Sequence, residues 1–155
     1  MDKKFYFAPM EGITGYVYRR VHHRFFPGID KYFTPFLSPG QKKIMTSREK
    51  NDILPEHNEG IFLVPQILTN QAESFIKCVR ELENYGYREV NLNLGCPSGT
   101  VVAKNKGAGF LEFPEELDRF LDQIFSSLSI EISIKTRIGK EEKEEFEKLL
   151  KIYNH

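Results

Sequence analysis

The feature that most restricts the fold of this chain is a regular exchange between two hydrophobic periods. Runs rich in aromatic and β-branched residues at 4–9 (KFYFAP), 29–36 (IDKYFTPF), 61–67 (IFLVPQI), 89–94 (EVNLNL) and 131–138 (EISIKTRI) read as strands. Between them, apolar side chains recur at helical spacing. Asn70 with Glu73 resembles a capping box, Ala72, Phe75, Ile76, Val79 and Leu82 form a stripe, and Gly86 suits a left-handed stop. Pro114 fits a first helical position ahead of Leu117, Phe120, Leu121, Ile124 and Leu128, and 141–153 carries Phe146, Leu149, Leu150 and Tyr153 in the same rhythm. Thr14 is placed to cap a helix running to about Phe25, and 46–54 (TSREKNDIL) supplies a shorter one.

Repeated β-α units imply parallel strands joined by right-handed crossovers. Two α/β architectures accept that order: an open doubly wound sheet and a (β/α)₈ barrel cut short. A barrel needs eight units and typically ~250 residues, so 155 residues favour the open sheet by length. The expected glycine signal of a nucleotide-binding sheet is missing. No G-x-G-x-x-G turn follows the first strand, and KNKGAG at 104–109 does not open a helix in the manner of a P-loop.

With 40% apolar and 13% aromatic side chains the chain can bury the core of one domain. Lys plus Arg and Asp plus Glu both total 22, so there is no global field to draw in a polyanion, and any such partner must be met by a local patch. Cys78 and Cys96 share no CxxC pair or Cys/His spacing, which points to reduced thiols, no metal and a cytoplasmic setting. The apolar run before Pro9 is too short for a signal-peptide core or a membrane span.

Ligands of parallel α/β folds collect at the C-terminal ends of the strands. Here those ends read APMEGIT, VPQIL, LNLGCPSG and SIKTRIG. Alternation along 89–94 puts Val90, Leu92 and Leu94 on one face and Asn91 and Asn93 on the other; along 131–138 it sets Ile132, Ile134 and Thr136 against Ser133, Lys135 and Arg137. If the apolar faces meet the helices, Asn93, Lys135 and Arg137 converge at one mouth, and Gln66 can join them. Such amides and a cation suit a flat heterocycle with carbonyl and N–H edges. For each amide alone, capping a loop is the commoner use. Lys135 is costly on an inward face unless an anion or water meets it. Cys96 is either a small turn residue or a reactive thiol, and Cys78, inside an apolar helical stripe, is core.

In order and spacing, APMEGIT (8–14), PQI (65–67), VNLNLGCPSGTVVAKNKGAGFL (90–111) and KTRIG (135–139) resemble the N-terminal part of the tRNA-dihydrouridine synthases, flavoenzymes built on a (β/α)₈ barrel. The resemblance covers essentially the whole chain. It turns the fold expectation into a truncated TIM barrel of about five β/α units, with residues 1–155 as the N-terminal portion of the flavin-binding domain. The later barrel units, which in that family grip the flavin phosphate, and a C-terminal helical tRNA-binding domain lie outside it.

The resemblance further implies that FMN, re-reduced by NADPH, passes a hydride to C6 of a uracil in tRNA. Cys96 would then protonate C5. Thiols titrate near ~8.5, so most are protonated and able to donate at neutral pH. By the same resemblance Pro9, Met10 and Glu11 line the flavin, Gln66 and Lys135 bond its ring system, Asn93 helps hold the target base, and Arg137, Lys104 and Lys106 meet the RNA. Two other readings are a flavin-dependent reductase of free pyrimidines and a non-catalytic half-barrel that acts in binding or assembly. Open sheet edges in a five-unit ribbon also invite self-association.

Overall fold

A computed structural model describes residues 3–40 and 43–155. Its elements follow the expected alternation. Strand β1 (Tyr6–Phe7) leads to helix α1 (Tyr16–Phe25), β2 (Lys31–Phe33) to α2 (Ser47–Ile53), and the short strands β3 (Leu63–Val64) and β4 (Gln66–Ile67) to α3 (Ala72–Asn84). Strand β5 (Glu89–Leu94) is followed by a single turn, α4 (Gly99–Val102), a 3₁₀ segment (Gly107–Glu112) and α5 (Pro114–Ser127); β6 (Glu131–Thr136) precedes α6 (Phe146–Tyr153).

Every strand pair is parallel, in the orders β1-β2-β3 and β4-β5-β6. The run at 61–67 is thus two strands, because Pro65 lacks the N–H that would carry the ladder through. Backbone bonds bridge the gap. The Leu37 N–H donates to the Gln66 carbonyl (2.7 Å), the Leu68 N–H to the Leu37 carbonyl (2.8 Å), and the Asn91 N–H to the Pro65 carbonyl (2.9 Å). Spatial order therefore equals chain order from β1 to β6, with no reversal of the kind that defines a doubly wound sheet. The open sheet that length favoured is overturned: the chain is a partial TIM barrel.

Val90, Leu92 and Leu94 turn outward and pack with Phe75, Val79 and Leu82 of α3 and Leu117, Phe120 and Ile124 of α5 in one buried core. Phe120 meets Phe75 and Phe110 edge-on, at 6.0 and 5.4 Å between ring centroids. Gly86 takes φ +88° and ends α3 as expected, and Pro114 opens α5.

Two caps differ from expectation. The N-cap position of helix α3 is Gln71, with no side-chain cap; the Asn70 amide instead donates to the Lys104 carbonyl (3.2 Å), so the Asn70–Glu73 box does not form. Helix α1 starts after Gly15, and the cap comes from far away in sequence: Asp52 Oδ1 accepts the Tyr16 N–H at 2.6 Å. Thr14 spends its hydroxyl on the Met10 N–H (2.8 Å) and carbonyl (3.2 Å). A full capping box does form at Thr46 and Glu49. Strand β1 is only Tyr6–Phe7, β2 stops at Phe33 and β6 at Thr136, each shorter than its apolar run, since pairing and not composition sets a strand's length.

Arg19, fully buried, ties these pieces together. Its guanidinium donates to the Thr14 carbonyl (2.9 Å), to Asp52 Oδ2 (2.9 Å), to the Asp52 carbonyl (2.7 Å) and to Asn58 Oδ1 (3.0 Å). It thereby holds α1, α2 and the Met10–Thr14 turn in one arrangement. Arg19→Met leaves the Asp52 carboxylate without its cation, and urea unfolding should show a loss of about 3 kcal/mol, against about 1 kcal/mol for Thr46→Ala.

Candidate active site

The side of the ribbon away from the helices is lined by polar residues in register. Gln66 lies beside Asn91, Asn91 beside Ser133 and Asn93 beside Lys135 on adjacent strands. Because β5 lies between two partners, its inward side chains are buried: Asn91, Asn93 and Glu89 all fall below 7% exposure, and Gln66 is at 1%. Buried amides must find partners, and here they find one another. Gln66 Nε2 donates to Asn91 Oδ1 (2.8 Å), Asn93 Nδ2 to Gln66 Oε1 (2.7 Å), and Asn91 Nδ2 to Ser133 Oγ (3.0 Å).

At the upper end of β5 the chain turns. Asn93 Oδ1 accepts the N–H groups of Gly95 (3.1 Å) and Cys96 (3.0 Å), so the side chain of the last inward residue caps the turn that presents the thiol. Cys96 is half-buried. A second segment backs it. The Ala108 N–H donates to the Cys96 carbonyl (3.0 Å), and a Cβ at Gly107 would stand 2.8 Å from that oxygen and 3.1 Å from the Cys96 Cβ. A Cβ at Gly109 would meet the Val102 carbonyl at 2.8 Å. The motif KNKGAG is therefore a close backbone approach to the cysteine turn, made possible by glycine.

Two residues before Asn93 on the same face, Asn91 lines a cavity of about 230 Å³ with Tyr6, Ala8, Pro9, Phe33, Ile134 and Lys135. Its walls are largely apolar and aromatic, with one amide and one ammonium. Lys135 is exposed, and its ammonium makes no hydrogen bond or ion pair among the described residues. Such a set, a flat apolar floor with a fixed amide and a free cation, fits a planar heteroaromatic group carrying acceptor atoms.

The remaining candidates sit around this cavity. Met10 and Glu11 are exposed on the turn after β1; Glu11 lines a separate hollow of about 190 Å³ with Gly15, Thr46 and Asp52. Arg137 is exposed, with its Cγ 3.6 Å from where a Cβ of Gly95 would be, next to the cysteine turn. Lys104 is exposed and Lys106 half-buried; burial, and Lys104 nearby, hold the Lys106 ammonium below the ordinary lysine value. Gln66, engaged at both ends, touches the cavity only through Asn91.

Sequence reading placed Ser133 on the inward face but missed Glu89 and the two glycines as parts of this site. The signal for Glu89 was present: Glu89, Asn91 and Asn93 are successive inward positions of one strand, a polar row of period two.

Residues 6–154 match the family model described as Dihydrouridine synthase (Dus). Similar curated proteins include tRNA-dihydrouridine synthase B of Pasteurella multocida, 25% identical over 139 residues that cover 90% of this chain and 41% of the relative. A tRNA-dihydrouridine(20/20a) synthase of Shewanella oneidensis is 30% identical over 95% of this chain and 42% of its own length. A probable tRNA-dihydrouridine synthase of Staphylococcus aureus is 28% identical, with coverage of 95% and 44%. The chain thus spans about two fifths of the length of these relatives.

Cys78 is fully buried, and burial pushes its thiol up to about 12. Iodoacetamide at pH 8 should therefore label one cysteine, Cys96, in the native protein and both in urea, as counted by mass spectrometry. Gly107→Ala, which forces a Cβ at φ +55° against the Cys96 turn, should cost about 1–3 kcal/mol and change the rate of that labelling.

Proposed function

This chain belongs to the dihydrouridine synthase family, and from that premise we propose that it forms the Cys96-bearing wall of an enzyme that reduces uridine in tRNA to 5,6-dihydrouridine. Residues 1–155 then correspond to the N-terminal portion of the barrel domain. The observation that carries the reading is the Cys96 turn, capped by Asn93, at the end of the strand whose Asn91 lines an apolar cavity together with Lys135.

FMN, re-reduced by NADPH, would supply the hydride for C6 of the uracil ring when bound. Tyr6, Ala8, Pro9 and Phe33 would offer it a flat apolar seat, and Met10 and Glu11 sit on the turn that follows β1. Lys135, on the wall of the cavity, would offer a positive charge to a reduced, anionic ring bound there. Gln66 acts mainly by fixing Asn91, which lines the seat.

Cys96 gives the S–H proton to C5 while the C6–H bond forms, and the thiolate left behind recovers a proton from solvent, which reaches its half-buried side chain. Asn93 holds the turn by its oxygen and has one N–H left, on the amide facing Gln66, to offer the base. The uracil must leave its stack to reach this depth, and Arg137, Lys104 and Lys106 lie on the surrounding rim to meet phosphates. A cytoplasmic setting goes with tRNA as substrate and with two free thiols; no helix among the described residues is long and apolar enough to cross a membrane.

A specific observation favours a second reading, in which this chain works as an assembly module. Phe5 and Tyr6 at the β1 edge and Val17, Val21 and Phe25 along α1 are exposed, an apolar face that suits a further β/α unit or a second copy.

The two are separated by incubating the protein with FMN, NADPH and tRNA lacking dihydrouridine, and measuring the product by nucleoside mass spectrometry. Cys96→Ala should lower the rate by about 10²-fold or more, whereas Lys104→Glu should weaken tRNA binding and flatten its salt dependence. Product formed at equal rates with Cys96→Ala would remove Cys96 as the acid. A flavin-free dimer by sedimentation, inert toward tRNA, would favour the assembly module.

A further inference from the structure

The hydrogen bonds on the inward face form one chain, and every link donates in the same direction. From the top, the Gly95 and Cys96 N–H groups donate to Asn93, Asn93 to Gln66, Gln66 to Asn91, and Asn91 to Ser133. Ser133 Oγ stands 3.4 Å from Glu89 Oε1 and 3.4 Å from the Val90 carbonyl, the longest links in the chain. It ends at the Glu89 carboxylate, which also accepts from Lys31. Lys31 is held in place by the rings of Phe62 (5.3 Å) and Tyr6 (5.6 Å) and lies 3.8 Å from Glu131.

An amide can be turned either way, and its orientation follows from its neighbours. An ionised carboxylate only accepts, and a backbone N–H only donates. Those two kinds of end, one at the foot of β5 and one at its head, allow a single orientation for Asn91, Gln66 and Asn93. In the opposite orientation Asn93 would aim its NH₂ at the Gly95 and Cys96 N–H groups. Aligned bonds also polarise one another toward the negative end.

A buried ion pair adds little stability over an apolar pair, so Lys31–Glu89 is poorly explained as a fold stabiliser alone. Four residues of strand, about 13 Å, separate Glu89 from Asn93. We propose that Glu89, with Lys31 as its counter-ion and Ser133 as its relay, is a remote positioning residue for the cysteine turn: its acceptor-only carboxylate sets the amide ladder that holds Cys96 in place. This role for Cys96 rests on the reading of Cys96 as the proton donor, but the ladder itself can be tested without catalysis.

The test is amide hydrogen exchange of the whole chain, followed by NMR, in wild type, Glu89→Gln, Ser133→Ala, the double variant and Asn93→Ala. A glutamine at 89 presents both donor and acceptor, and so removes the acceptor-only foot of the ladder and leaves the two backbone N–H groups alone to orient it; an alanine at 133 cuts the relay without touching a charge. Each single variant should speed exchange at Gly95 and Cys96 by about tenfold or more, while amides such as Leu92 and those of α5 keep wild-type rates. The double variant should go no further than either single, since both break one chain. Asn93→Ala should remove protection at the same two amides.

Unchanged rates at Gly95 and Cys96 in both single variants would overturn the proposal. So would acceleration shared by the core amides, or additive effects in the double variant. If Glu89→Gln does not fold, Ser133→Ala decides by the same criterion. No flavin or tRNA enters the measurement, so a failed activity assay with an intact exchange result would count against the proposed reaction and leave the ladder standing.

Discussion

Strand β5 is buried along all six of its residues, and its two faces require opposite chemistries. The outward face carries Val90, Leu92 and Leu94 into the core under α3 and α5, where burial of apolar surface is the main stabilising force. The inward face carries Glu89, Asn91 and Asn93, each buried and each needing a partner. A slip of one residue in register would exchange the two sets, placing amides and a carboxylate in the apolar core. This cost fixes β5, and the flanking strands take their positions from it. Gln66 stands opposite Asn91, and Lys135 opposite Asn93.

The turn after β5 depends on the same constraint. The last inward amide, Asn93, has one oxygen to spare, and the chain curls over so that Gly95 and Cys96 donate to it. Gly107 then lets a second loop approach the turn within van der Waals contact, and Gly109 packs that loop on Val102. The turn is thus held between a buried polar row and a close-packed loop, and the cavity lined by Asn91 of the same strand takes part of its wall from β1 and β2. Distant supports serve the other side of the mouth: Arg19 and Asp52 hold the Met10–Thr14 turn through Thr14. Meanwhile the β1 edge and the outer face of α1 stay apolar and exposed, in a chain that spans about two fifths of its relatives.

Much of this was legible from local pattern. The period of two in 89–94 and the period near 3.6 in 72–82 and 117–128 identified β5, α3 and α5, because each has one strongly apolar face and few alternatives. The inward set Asn91, Asn93, Ser133 and Lys135 followed from alternation alone. Cap assignments were less legible. Asn70 and Thr14 have the right chemistry for caps, yet Asn70 bonds the Lys104 carbonyl, 34 residues on, and Thr14 bonds Met10 in its own turn, while the cap of α1 came from Asp52, 36 residues away. Strand limits at β1, β2 and β6, and the break at Pro65, likewise depended on which neighbours were there to pair.

The sequence by itself determined the β-α order, the apolar and polar faces of the strands, and the family motifs around Cys96, since these depend on side-chain chemistry at fixed spacing along the chain. Tertiary structure decided between an open sheet and a partial barrel, because strand order is a matter of which edges meet. It also decided which way the buried amides face and what they are bonded to. Each amide is symmetrical enough to serve as donor or acceptor on either side. Only the carboxylate of Glu89 at one end and two backbone N–H groups at the other, brought into line by parallel pairing, give the row a direction.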